Sequence, residues 1–185
     1  KNATALDPNN KDVTSREGGG LWRLRFKDIN DPLKGATVEL LLDGTEWVYA
    51  NKPDNITIDA LGNILIQEDP GNNDQVARVF AYSIAKKKLA VIAKFKDAYF
   101  KKDAPSATKI TVDEESSGVL DVTSFFKQGK SDKASYYVLN AQVHATPSAS
   151  RPDLTTTEAA ALTKVIEGGQ LYLLTVEDWS KVDFK

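Results

Sequence analysis

Four short apolar segments that follow one another between Ile56 and Phe95 constrain the fold more than any other feature of this sequence. The first two, residues 56–59 and 64–67, flank a turn that contains Gly62 and Asn63, and the other two, residues 76–82 and 89–95, flank a lysine-rich turn. Short β-branched and aromatic runs between turn residues predict β-strands. Four consecutive antiparallel strands within about 40 residues are the unit of a β-propeller blade, so this stretch predicts one complete blade.

Parts of this unit recur elsewhere in the chain. The predicted third strand has counterparts at residues 21–26 and 171–176, and all three have an aromatic residue in second position. Residues 118–121 are similar to the predicted first strand, and residues 136–139 are similar to the predicted second strand. The sequence therefore predicts an all-β fold, a partial β-propeller of about two to three four-stranded antiparallel blades. The expected parts are an extended lead-in at 1–20 and C-terminal blades at 21–185, with blade parts at about 21–43, 54–96 and 115–185.

Two further expectations concern the end of the chain. Residues 155–158 have the form of a capping box before an alanine-rich run, which predicts a short helical insertion in the last blade. Residues 179–184 are a candidate last strand. A β-sandwich would also produce many short strands at this spacing, and the internal repetition favours the propeller over it.

The charge balance and the hydropathy exclude two classes of partner. The 24 basic and 26 acidic residues give a net charge of −2, which excludes a nucleic-acid-binding surface spread over the whole chain. No apolar run approaches the roughly 18 residues that a membrane-spanning helix needs. We therefore expect neither a nucleic-acid partner nor a membrane span.

Sulfur is absent from the sequence. The lack of Cys excludes disulfides, thiolate metal ligands and a Cys nucleophile within these 185 residues. The lack of Met, with Lys1 as the first residue, indicates a piece of a longer translated chain. It is either a processed part of an exported protein or a truncated piece, and the sequence leaves both open.

Acidic residues lie at equivalent places in successive predicted blades. Asp54 opens the complete blade, Glu68 and Asp69 end its second strand, and Glu114 and Glu115 open the next blade. Because both groups adjoin matching strands of adjacent repeats, we expect them to lie near one another. Converging carboxylates repel unless a cation lies between them, and hard oxygen ligands of this type suit calcium. Solvated turn residues are the alternative.

His144, the only histidine, is expected just after a strand at residues 137–143. It is a candidate metal ligand or general acid/base group, and the alternative is a strand-end histidine bonded to a backbone carbonyl. One His and no Cys argue against a zinc site built wholly from this chain.

Two strings are distinctive when taken together: Gln-Glu-Asp-Pro-Gly-Asn from Gln67, and Glu-Glu-Ser-Ser-Gly from Glu114. With residues 20–26, 54–59 and 167–171, they resemble the C-terminal part of the PhoX-like alkaline phosphatases, a family of secreted bacterial β-propellers. The similarity runs from about Gly20 to Val176. Taken singly, the Asp-Asn and Gly-Asn pattern that starts at Asp54 also resembles the lactonase and gluconolactonase propellers.

The resemblance implies a calcium-dependent phosphomonoesterase that is secreted or periplasmic, with a metal cluster that includes calcium and, in the complete protein, iron. It makes Glu68 and Glu115 the first candidate metal ligands and Asp54, Asp69 and Glu114 the second, with calcium polarising a phosphoryl oxygen. The implied iron-binding Cys has no counterpart in this sequence. The alternatives are a non-catalytic, calcium-stabilised propeller or binding module and a lactonase-like hydrolase. Since two to three blades cannot close a propeller, we expect either an N-terminal portion of the same precursor or self-association to complete it.

Overall fold

The computed structural model describes residues 19–46, 48–71, 76–144, 155–158 and 167–185. Over these ranges the chain is mostly β and contains three antiparallel sheets of two, four and three strands. The chain divides into two compact units, residues 1–52 and 53–185. The strands are β1 (Leu21–Phe26), β2 (Ala36–Leu42), β3 (Pro53–Ile58), β4 (Asn63–Glu68), β5 (Arg78–Ser83), β6 (Lys88–Lys94), β7 (Glu114–Asp121), β8 (Ser135–His144) and β9 (Glu167–Val176), and the labelled helices are α1 (Asp97–Phe100) and α2 (Thr123–Phe126).

The first unit contains the antiparallel hairpin β1–β2, and β1 coincides with the strand predicted at residues 21–26. Side chains alternate across its two faces, because successive residues of a strand point to opposite sides. On one face Arg23 Nε donates a hydrogen bond to Glu39 Oε2 at 3.0 Å. The other face is apolar and exposed, with Trp22, Leu24 and Leu40 all more than two-fifths accessible.

In the second unit, the four-stranded sheet has the order β3-β4-β5-β6, which confirms the four consecutive antiparallel strands. The turn between β3 and β4 depends on Asp59, whose carboxylate accepts hydrogen bonds from the backbone N–H groups of Leu61 and Asn63. Gly62 has a φ of +81°, a conformation that glycine adopts without steric cost. The local sequence therefore determines this turn.

The three-stranded sheet has the order β7-β8-β9, and its strands contain the three predicted segments. Strands β8 and β9 are longer than the predicted segments, because they pair continuously from Ser135 opposite Val176 to His144 opposite Glu167. Backbone pairing thus extends both strands through residues that carry no apolar signal. In β7 the register shifts between Ser117 and Leu120, where Gly118 has a φ of +63°.

The core of the second unit lies between its two sheets. Leu65 and Val79 from the four-stranded sheet pack in one cluster with residues of the three-stranded sheet, including Tyr137 and Leu139. A smaller cluster joins Ala81 and Ala90 to Phe184 near the end of the chain. The two sheets are therefore held face to face by buried apolar side chains, which is the main source of stability for such layers.

The strand predicted at residues 179–184 is wrong. Trp179–Lys181 form a 3₁₀ turn, because the side chain of Asp178 accepts a hydrogen bond from the backbone N–H of Ser180 and caps it. The chain ends against β6, where Lys185 exchanges two backbone hydrogen bonds with Leu89. Local capping therefore outweighs the apolar pattern of this segment.

The predicted capping box is present. Thr155 Oγ1 accepts a hydrogen bond from the backbone N–H of Glu158, and Glu158 Oε2 accepts one from the backbone N–H of Thr155. Residues 156–158 are helical. The rest of the predicted helix and nearly all of the predicted lead-in, residues 1–18, lie outside the described residues.

Candidate acidic site

The two sheets of the second unit meet along β3, β4 and β7, and this contact brings the predicted acidic groups together. Asp54 lies in β3 and Asp69 directly follows β4, while Glu115 lies in β7. Both aspartates are close enough to Glu115 to raise the pKa of its carboxyl group. The expectation that acidic residues from the two predicted blades lie near one another is confirmed.

Glu68 is fully buried and belongs to a structural ion pair. Arg78 Nε donates to its Oε2 at 2.8 Å, and Arg78 Nη2 donates to its Oε1 at 2.7 Å. The backbone N–H of Arg78 adds a third bond at 2.9 Å. This two-point pairing neutralises the carboxylate and fixes its orientation, so Glu68 is less suited to a second cation than an unpaired carboxylate would be.

Glu114 is also buried, with 2% of its surface exposed. Its Oε1 accepts a hydrogen bond from the backbone N–H of Ala77 at 2.8 Å. Burial is the main cause that raises the pKa of Glu114 to about 7, and the negative charges of Asp113 and Glu68 add to it. The alternative that these residues are solvated turn residues is therefore wrong for Glu68 and Glu114.

Glu115 is the centre of the cluster, which we define as Asp54, Asp69, Glu115 and His144 and call the acidic site. Burial, the hydrogen bond with Asp69, and the charges of Asp69 and Asp54 raise the pKa of Glu115 to about 7, although His144 opposes this shift. The His144 Nε2 atom lies 3.9 Å from Glu115 Oε1. Near neutral pH, Glu115 is therefore protonated for part of the time.

His144 is the last residue of β8 rather than a residue that follows it. Its backbone is held at both ends: its N–H donates to the carbonyl oxygen of Asp113 at 2.9 Å, and its carbonyl oxygen accepts from Thr111 Oγ1 at 2.7 Å. These bonds fix the position from which the imidazole reaches Glu115. Half-buried and next to a carboxylate, His144 is placed to hold or transfer a proton.

The loop after β4 needs a glycine at position 71. A Cβ there would lie 3.3 Å from Asp113 Oδ1 and 3.7 Å from Asp69 Oδ1, and the φ of Gly71 is +37°. The Pro-Gly string therefore lets the backbone approach these two carboxylates closely. Only Asp69 of this pair is among the predicted site residues.

Neither Arg78 nor the polar side chains beside Glu115 are among the site residues predicted from the sequence. Ser117 Oγ donates to Asn140 Oδ1 at 2.8 Å and accepts from Gln142 Nε2 at 2.6 Å, and Gln142 pairs with Glu115 across the sheet. The signal for Arg78 was available, because a basic residue at the edge of a buried apolar strand requires a buried acidic partner. The Ser117 network depends on pairing between β7 and β8, which the sequence does not show.

The acidic site can do two things chemically. Its carboxyl oxygens are donors of the type that calcium prefers, and the 3.9 Å between His144 Nε2 and Glu115 Oε1 would allow these two groups to exchange a proton through one bridging water. Within the described residues, no group of three or more His, Asp or Glu side chains is arranged as a metal-ligand set. Asp54, Asp69 and Glu115 therefore match calcium in the type of their donor atoms but not in a ready ligand arrangement. Glu68 offers the same type of oxygen, but both of its oxygens are already bonded to Arg78.

None of the helices in the described parts of the chain is long and apolar enough to span a membrane. Comparisons with models of known protein families, with curated proteins and with solved structures found no match to this chain.

Proposed function

We propose that this chain is part of an exported, calcium-dependent phosphomonoesterase, in which Asp54, Asp69 and Glu115 supply oxygen ligands. The observation that carries this proposal is the convergence of three carboxyl groups from two neighbouring sheets. Burial is the main cause that raises the pKa of Glu115, and the hydrogen bond with Asp69 and the charges of Asp69 and Asp54 add to it. A divalent cation between the three carboxyl groups would offset these charges and displace the proton from Glu115.

The roles of the residues follow from their positions. Glu115 and the two aspartates would hold the cation, which when bound would polarise a phosphoryl oxygen of the substrate. His144, 3.9 Å from Glu115, would hold a proton for the leaving alkoxide. Glu68 would act on the site indirectly, since its ion pair with Arg78 fixes the start of β5 beside the loop that carries Asp69.

The propeller is part of the same proposal, and the order of the sheets supports it. The described sheets contain two, four and three strands that are consecutive in the chain, and the first strands of the last two, β3 and β7, adjoin each other. First strands lie side by side around the centre of a propeller.

Of the described residues, Leu120, Leu171 and Leu173 form an exposed apolar patch on the three-stranded sheet. Such patches are typical of surfaces that another sheet covers, which supports completion by a further portion of the precursor or by a second copy. Light scattering that shows only monomer would exclude the second copy.

The test compares cation binding and turnover in matched variants of the complete protein. Wild type should bind calcium in a calorimetric titration and hydrolyse p-nitrophenyl phosphate, and a chelator should abolish turnover. Glu115→Gln should weaken calcium binding at least tenfold, because it removes a ligand charge. Glu177→Gln, an exposed acid outside the acidic site, is the control and should bind as wild type does. Turnover that is insensitive to both chelator and Glu115→Gln would disprove the proposal.

A second candidate is a non-catalytic, calcium-stabilised module. The observation that favours it is that Glu68, one of the two leading ligand candidates, serves a buried structural ion pair with Arg78. In this case calcium should raise the unfolding temperature, and neither phosphate esters nor lactones should be hydrolysed. Lactone hydrolysis without phosphatase activity would instead indicate a lactonase-like enzyme.

A further inference from the structure

A cavity of about 720 Å³ lies between the two sheets of the second unit. One wall comes from β5 and β6, with Val79 and Ala93, and the opposite wall comes from β8 and β9, with Ala141 and Leu174. The segment around α1 closes one side with Phe95, Tyr99, Phe100 and Ile110. Pockets of this volume in proteins accommodate small organic molecules.

Several residues that line the cavity are small. Ala93 lies in the wall formed by β5 and β6, Ala141 lies in the wall formed by β8 and β9, and Gly168 and Gly169 are near the start of β9. Sheets pack about 10 Å apart, and larger side chains normally fill the space between them. The neighbouring core is filled by large side chains such as Leu65 and Tyr137, whereas this part of the interface has alanines and glycines. The small side chains leave the cavity open.

The cavity lining includes one polar group without a partner. Ser116 is 3% exposed, and among the described residues its hydroxyl has no hydrogen-bond partner. A buried hydroxyl without a partner costs free energy, because it loses its bonds to water and gains none. Buried polar groups are otherwise almost always bonded, so an unpartnered hydroxyl in a cavity wall offers a hydrogen bond to an oxygen atom that enters the cavity, from a ligand or from water.

The charge of the lining restricts the ligand further. Among the described residues that line it, the charged ones are Lys94 and Lys96. Lys94 Nζ bonds to Asp97 Oδ1 at 3.0 Å, and Lys96 Nζ lies 4.9 Å from the centre of the Tyr99 ring. Both cations thus already have partners at the protein surface, and the rest of the wall is apolar or uncharged. This environment favours an uncharged ligand, since a charged one would lose its hydration without compensation.

We infer that this cavity binds an uncharged, largely aromatic or aliphatic small molecule whose carbonyl or hydroxyl oxygen bonds to Ser116. The inference does not depend on the proposed phosphatase function. Ser116 and Glu115 are neighbours in β7, so their side chains point to opposite faces of the strand. The ligand cavity and the acidic site are therefore two separate sites.

The probe is the fluorescent ketone propionyl-dimethylaminonaphthalene, whose emission moves to shorter wavelength in apolar surroundings. Dimethylaminonaphthalene, which lacks the ketone, is the matched ligand. Wild type should give saturable binding of the ketone with a blue shift. Ser116→Ala should weaken ketone binding by about five- to tenfold and leave the matched ligand unchanged, as expected for one neutral hydrogen bond.

Two variants fill the cavity from opposite walls: Ala141→Leu and Ala93→Leu. Each should weaken both ligands by roughly tenfold or more, because the added side chain occupies the ligand volume. Glu177→Gln, an exposed acid outside the residues that line the cavity, should bind both ligands as wild type does. Circular dichroism confirms folding, and whichever filling variant folds provides the test. No saturable blue shift in wild type, unchanged binding in a folded filling variant, or equal weakening of both ligands by Ser116→Ala would each overturn the inference.

Discussion

A hydrogen bond between two buried side chains ties the two sheets of the second unit together. Tyr137 of β8 is fully buried, and its hydroxyl donates to Asp59 Oδ2 at 2.8 Å. The same carboxylate accepts from the N–H groups of Leu61 and Asn63 in the turn between β3 and β4, and from Asn63 Nδ2 at 2.9 Å. Burial, followed by the bond to Asp59 and its charge, raises the pKa of Tyr137 far above its ordinary value. The phenol therefore stays protonated and donates throughout the physiological range.

Tyr137→Phe removes this donor and keeps the ring. The ring packing against Trp179, with centroids 6.5 Å apart, should persist. Hydrogen bonds to charged acceptors contribute about 1.5–3 kcal/mol, and Asp59 keeps three other donors, so we expect a loss of about 2 kcal/mol in the free energy of unfolding. For a chain of this size that corresponds to a fall of roughly 4–8 °C in the unfolding temperature.

The neighbouring tyrosine provides a matched control. Tyr136 donates to Asp132 Oδ2 at 3.0 Å, but this pair is only partly buried. Tyr136→Phe should therefore cost clearly less than Tyr137→Phe, because water can replace the lost bond. Urea and thermal unfolding, followed by circular dichroism, give both values. If Tyr137→Phe costs no more than Tyr136→Phe, the argument that burial strengthens the Asp59 bond is refuted.

Two further predictions concern the buried acids. Burial raises the pKa of both Glu114 and Glu115 from 4.5 to about 7, so the folded state holds protons that the unfolded state has released. The free energy of unfolding should therefore fall as the pH rises from about 5 to 8. A Glu114→Gln plus Glu115→Gln variant should show a flatter dependence of stability on pH. A wild-type stability that rises over this pH range would contradict the raised pKa of these two residues. Glu68→Gln removes the negative charge that pairs with the partly buried Arg78 and should cost about 3 kcal/mol in urea unfolding. A loss below about 1 kcal/mol would show that the Glu68 pair is not structural.

Much of the β-structure could be predicted because its signals are local. The alternation in β1 and the Gly62 turn between β3 and β4 predict strands and their pairing without reference to distant residues. The polar start of β7 was not predicted, because Glu114 to Ser117 carry no apolar signal and become a strand only by pairing with β8. The final 3₁₀ turn was missed since its cap at Asp178 competes with an apolar pattern that suits a strand equally well.

The sequence by itself predicted the four consecutive strands from β3 to β6, the turn at Gly62 and the placement of acidic residues beside predicted strands, because these depend on local patterning. Only the tertiary structure decided what each acid does. Glu68 is neutralised by Arg78, whereas Glu115 shares its surroundings with Asp69, Asp54 and His144. The physical reason is that burial and neighbouring charge set the behaviour of a carboxyl group, and both arise only when the two sheets pack together.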